Sequence, residues 1–138
     1  EETNIGMMAD VGTLQRLPKL IPEGVARELA YTGETLSPER AEKLGLYNCV
    51  LNTPEALREH VDAVAAKIAS KAPLTISGTK RSFLYARDHT VPDSLEHAMT
   101  LQASYWSPED IMEAMTARAE KREGNFQPLS PVKRMGRG

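Results

Sequence analysis

The chain has 138 residues, a formal net charge of −2 and 41% hydrophobic residues, enough for one domain's core and too little positive charge for a nucleic-acid platform. No apolar run reaches the length needed to span a bilayer, and the N-terminal residues show no secretory n-region and h-region pattern. One cysteine, Cys49, excludes an internal disulfide, and His60, His89 and His97 have no ligand spacing with it or with carboxylates, so no metal site is expected.

The elements predicted along the chain are mostly helical. After an opening loop, Thr13 to Leu20 reads as a short helix limited by Pro18, which lacks a donor and clashes one turn back. Pro22 suits the N1 position of a helix over Glu23 to Tyr31, closed by Gly33, with Val25, Leu29 and Ala30 as its apolar face. Ser37-Pro38-Glu39, Thr53-Pro54-Glu55 and Ser107-Pro108-Glu109 repeat one start signal: a hydroxyl cap, a proline at N1 and an acid in the positive first turn. The first opens a helix ending at Gly45, after which Leu46 to Leu51 is the one segment with strand character. Cys49 sits in that apolar run and reads as a small core residue.

The second start signal opens a helix over Pro54 to about Lys71, with Leu57, Val61, Val64 and Ile68 on one face. Pro73 breaks it and opens another from Leu74 to about Arg87; His89 to Asp93 reads as a turn. Ser94 to Tyr105 and Pro108 to Glu123 complete the helices, presenting Leu95 and Met99, then Ile111, Met112 and Met115. Residues 124–138, rich in proline, glycine and basic residues without periodicity, read as a mobile tail. So slender a helical array is expected to leave apolar surface for other protein to cover.

Chemistry concentrates at the start. Glu2 and Asp10 are two acids, each followed by a glycine (Gly6, Gly12) that lets the backbone bend tightly beside it. Two acids held apart on a loop suit a reaction that moves a proton between two atoms of one substrate. The plain alternative is that Asp10 caps the helix of Thr13-Leu14-Gln15-Arg16 and that Glu2 is simply solvated.

The run Glu2…Gly6…Gly12…Gln15-Arg16-Leu17-Pro18 resembles the central segment of the crotonase (enoyl-CoA hydratase/isomerase) superfamily, and Tyr31-Thr32-Gly33-Glu34, Ala41-Glu42-Lys43-Leu44-Gly45-Leu46 and Glu120-Lys121-Arg122 follow in the same order. Within that superfamily, Ala9-Asp10-Val11-Gly12-Thr13-Leu14 is similar to the dienoyl-CoA isomerases; typical hydratases have glycine at the position of Asp10. The resemblance implies a crotonase fold overall, an α/β spiral of β-β-α turns, of which this chain is the mostly α C-terminal part with at most one or two short strands. It implies that residues 1–52 end the core and carry the catalytic loop, and that 53–123 form a helical oligomerisation region. It also implies that roughly the N-terminal half, on the order of a hundred residues with the oxyanion-hole segments, precedes this chain.

The function implied is isomerisation of a 3,5-dienoyl-CoA to the 2,4-dienoyl-CoA in β-oxidation, with Glu2 near the α-carbon and Asp10 at the distal carbon. An apolar wall from Ile5, Met7 and Met8 would raise the pKa of the base. No prosthetic group is implied, since the substrate itself carries coenzyme A, whose phosphates Lys121 of a neighbouring subunit would face; Arg118 stands where hydratases keep an aromatic residue. The implied assembly is a homotrimer or homohexamer, without nucleic acid or membrane span. The implied setting is cytoplasmic in a bacterium and mitochondrial or peroxisomal in a eukaryote. A hydratase-like enzyme and a noncatalytic oligomerisation or RNA-associated protein are the alternatives.

Overall fold

The computed structural model describes residues 2–130, which form two compact units divided after Glu59. The first unit opens with a 3-10 turn at Glu2–Ile5, followed by helices α1 (Thr13–Arg16), α2 (Glu23–Thr32) and α3 (Pro38–Lys43). The predicted helix over Thr13 to Leu20 is in fact two pieces: α1 and a 3-10 turn at Leu17–Lys19. Proline at 18 removes the donor an α-helix would need there, and the chain tightens instead. Pro22 lies one position earlier than predicted, at the N-cap of α2, and Gly33 closes α2 in the left-handed conformation at φ 65°. Ser37 Oγ caps α3 by accepting from Arg40 N at 3.2 Å.

The segment Leu46 to Leu51, predicted as a strand, is not one. It bends after α3, with Leu46 N donating to Ala41 O at 2.9 Å and Val50 N to Glu42 Oε1 at 3.1 Å. Among the described residues there is no strand for it to pair with, so its backbone donors go to α3 instead.

The second unit carries most of α4 (Pro54–Ala69), within which the division falls, then α5 (Pro73–Ala86), α6 (Val91–Ser104) and α7 (Pro108–Glu120). Helix α6 starts three residues earlier than the sequence suggested. Thr90 is its cap, accepting from Asp93 N at 3.3 Å, and Pro92 lies in the first turn, so the predicted turn over His89 to Asp93 is partly a helix start. Helices α5 and α6 pack on each other, with Tyr85 stacked against His97 at a centroid distance of 3.8 Å and Arg81 Nη1 donating to Tyr105 Oη at 3.2 Å.

Helix α7 stops three residues short of the predicted Glu123. Lys121 takes the left-handed conformation at φ 54°, and Arg122 N folds back to Ala117 O at 3.0 Å. The Arg122 guanidinium then bridges Glu113 and Glu120, both at 2.6 Å. Asn125 N donates to Glu113 Oε1 at 2.7 Å, which ties the root of the segment read as a tail; residues 131–138 of that segment lie outside the described residues.

The buried apolar residues are few and mostly small: Ile21, Ala26 and Ala41 in the first unit, Ala72 and Ala117 in the second. Val25 and Leu29 of α2 are half-buried, whereas the larger residues on the predicted faces of α4 and α6 stay open, with Ile68 50%, Leu95 63% and Met99 76% exposed. The helices carry the apolar periodicity expected of them, but among the described residues these faces find little to bury against.

Candidate acid-bearing site

The site is a cleft of about 680 Å³ in the first unit, between the opening turn, α1 and α2. Glu2, Met7, Met8, Leu14, Leu17 and Leu29 are among its lining residues. Both ends of the wall are fixed by chain geometry. The 3-10 turn that carries Glu2 closes through Gly6 N to Thr3 O at 3.2 Å and Met7 N to Glu2 O at 2.9 Å. The 3-10 turn over Leu17–Lys19 points the chain into α2 through Ile21 N to Leu17 O at 3.1 Å.

The Glu2 carboxyl is held below the ordinary carboxylate range, chiefly because its own backbone N–H donates to it. This reverses the expectation that an apolar wall of Ile5, Met7 and Met8 would raise it. Those three side chains are 72%, 55% and 74% exposed, so they withdraw little water from the acid. At neutral pH Glu2 is therefore a carboxylate, able to accept a proton.

Asp10 is exposed and is not a lining residue of the cleft, although its neighbour Ala9 is. It also caps no helix: the N-cap of α1 is Gly12, at φ 94°, and no side chain accepts a hydrogen bond there. The capping alternative weighed from the sequence is thereby overturned. The positive φ at Gly12 swings the chain into α1 two residues after Asp10, leaving that acid outside the helix start.

Helix α2 adds polar residues that sequence reasoning did not assign to the site. Arg27 donates to Glu23 Oε1 from Nε at 2.9 Å and Nη2 at 2.6 Å, and from Nη1 to Tyr31 Oη at 3.3 Å, and all three residues border the cleft. Their i, i+4 spacing along α2 was the available signal, but it reads equally as a solvated helix face. Lys121, the third predicted site residue, belongs to the other unit, where it is exposed at the end of α7. Near it, a separate cleft of about 660 Å³ is bordered by Lys67, Lys71, Arg118, Arg122 and Phe126. Among the described residues no His, Cys, Asp and Glu gather as a metal site, and no helix is long and apolar enough to cross a membrane.

Comparison with known proteins fits this geometry. The chain is 37% identical over 124 residues to the mitochondrial Delta(3,5)-Delta(2,4)-dienoyl-CoA isomerase of Pongo abelii, a match covering 89% of this chain and 38% of that protein. It is 33% identical over 129 residues to a crotonyl-CoA hydratase of Syntrophomonas wolfei, covering 91% of this chain and 48% of the relative. The crystal structure of an enoyl-CoA hydratase from Mycobacterium marinum superimposes with a TM-score of 0.81 at 37% identity, over 91% of this chain and 49% of that one. The chain thus spans half or less of the length of these relatives. Residues 1–128 match the enoyl-CoA hydratase/isomerase family, and with the fold and the acid-bearing cleft already described, the chain belongs to that family, the crotonases.

Proposed function

We propose that these residues are the C-terminal part of an acyl-CoA isomerase that converts 3,5-dienoyl-CoA to 2,4-dienoyl-CoA in β-oxidation. Glu2 is the acid nearest the α-carbon and Asp10 serves the distal carbon. One takes a proton beside the thioester carbonyl, the double bonds shift, and the other returns a proton at the far end of the conjugated system. The developing enolate needs fixed N–H donors, expected from the part of the relatives' length that this chain does not span. Lys121 faces coenzyme A phosphates from a neighbouring subunit as a point charge. The helical region over 53–123 supplies contacts between subunits in a trimer or a pair of trimers.

The observation that carries this reading is that Asp10, standing three residues before α1, caps nothing. An acid that neighbours a cleft residue and caps no helix fits a role in proton transfer. The test uses a complete enzyme carrying these residues, with product formation followed by the absorbance of the conjugated dienoyl thioester. Asp10→Asn is expected to reduce turnover by about 10²-fold or more, in the range of a lost general acid or base, with the melting temperature unchanged. Asp10→Asn with full turnover removes the assignment.

A second reading, hydration of a 2-enoyl-CoA, is favoured by the likeness to the M. marinum hydratase and the S. wolfei crotonyl-CoA hydratase. Here Glu2 alone would work with water. Incubation with 2-enoyl-CoA in labelled water separates the two, because only hydration adds oxygen to the acyl chain.

A further inference from the structure

The turn bearing Glu2 has little core beneath it: Ile5 is 72% exposed and no residue of Glu2–Ile5 is buried. Yet a group that moves a proton must be held within a fraction of an ångström of its working position. Hydrogen bonds to a neighbouring element can hold it. The C-terminus of α2 offers a solution, because the last carbonyls of any helix lack intrahelical partners. Leu29 O takes Gly33 N at 3.0 Å. Ala30 O takes the hydroxyl of Thr3 at 2.6 Å, and just beyond the helix Gly33 O takes the side-chain amide of Asn4, from Nδ2 at 3.1 Å.

We infer that Thr3 and Asn4 are positioning residues for Glu2, a two-point clamp that docks the acid-bearing turn on the C-terminal end of α2. The inference rests on the reading of Glu2 as a catalytic acid. The two donors directly follow Glu2 in sequence and reach acceptors 27 and 29 residues away, so they fix the turn to a rigid element instead of merely closing it on itself. Gly33 completes the device. It is buried, and a Cβ placed on it would lie 2.7 Å from both Nδ2 and Oδ1 of Asn4, so the Asn4 amide occupies space that every other residue at 33 would fill. Its left-handed φ turns the chain so that its own carbonyl meets that amide. The clamp touches no reacting atom. It sets where Glu2 stands and leaves its chemistry alone.

The experiment uses a complete enzyme carrying these residues, with the variants Thr3→Ser, Thr3→Val, Asn4→Ala, the double variant Thr3→Val/Asn4→Ala, and Glu2→Gln. Turnover and KM are measured together with hydrogen exchange at the Gly6 and Met7 amides, whose bonds close the turn. The double variant is expected to lower kcat by about 10-fold to 100-fold, as for a catalytic group misplaced by about 1 Å, with KM changed less than about threefold. Exchange at Gly6 and Met7 should rise while amides in the middle of α2 stay protected. Thr3→Ser, which keeps the hydroxyl, should restore both readouts that Thr3→Val loses. Unchanged exchange at Gly6 and Met7 in the double variant overturns the clamp, and so does faster exchange with unchanged kcat. A double variant that fails to fold is replaced by the two single variants, read by the same exchange criterion. If Glu2→Gln is fully active while the clamp variants still loosen the turn, the catalytic reading of Glu2 fails and the docking of the turn stands.

Discussion

Three glycines of the first unit separate two physical costs that are usually confounded. Gly24 lies in α2 with open space where a Cβ would go, Gly45 has φ 78° and also open space, and Gly33 has φ 65° with the Asn4 amide at 2.7 Å. Alanine at 24 meets nothing and gains helix propensity, so Gly24→Ala should stabilise by up to about 0.5–1 kcal/mol. Alanine at 45 has the left-handed backbone as its one cost, so Gly45→Ala should destabilise by about 1–2 kcal/mol. Gly33→Ala bears that same cost and must also displace Asn4, losing its bond to Gly33 O, a further ~0.5–1.5 kcal/mol. Its total is about 1.5–3.5 kcal/mol. Urea unfolding followed by far-UV circular dichroism, on identical chain lengths, should therefore order the midpoints as Gly24→Ala, the parent, Gly45→Ala, Gly33→Ala. In an Asn4→Ala background the cost of Gly33→Ala should fall towards that of Gly45→Ala, because the amide it displaces and the bond it breaks are already gone. If Gly33→Ala and Gly45→Ala unfold at the same urea concentration, the close approach of Asn4 to Gly33 contributes nothing to stability.

Other outcomes follow from the second unit. Arg122 and the Asn125 N–H hold the Glu113 carboxyl down to about 2, against an ordinary value of 4.5. A depressed carboxylate contributes stability that is complete above its unfolded value and lost as pH falls through the folded one; the amide resonance of Asn125 should thus titrate with a midpoint near 2, and Glu113→Gln should abolish that titration. Gly78→Ala should destabilise by about 1–3 kcal/mol despite its helical position, since a Cβ there would lie 2.9 Å from the Tyr105 ring; in a Tyr105→Ala background, thermal melting should show the same substitution to be neutral or favourable. Light scattering of a complete enzyme should give a trimer or a multiple of it, and an active monomer at micromolar concentration would remove the proposed role of the exposed α6 and α7 faces.

Much of this could be read from residues whose effects are local. Ser37, Thr53 and Ser107 cap the three helices they were expected to cap, because a hydroxyl, a proline and an acid in three residues act within one turn. Thr90-Val91-Pro92-Asp93 carries the same signal with one residue inserted, and the fixed spacing hid it. The strand over Leu46 to Leu51 failed for a different reason: apolar content describes a segment, but a strand also needs a partner, and partners are set by the whole chain.

The site divides along the same line. That Glu2 and Asp10 stand apart with bends beside them was legible, because glycines announce the bends. Which way each bend sends the chain was not, and that decided the fate of Asp10: a positive φ at Gly12 puts the helix start beyond its reach. The contacts of Thr3 and Asn4 were equally hidden, since their acceptors lie 27 and 29 residues away and the sequence marks neither carbonyl. An acid can therefore be found from its own neighbourhood, whereas what holds it must be sought at the unpaired end of a distant helix. The hydrogen bonds of Thr3 and Asn4 are such a case: two side chains next to Glu2 meet carbonyls at the end of α2, where a helix leaves its last acceptors unpaired.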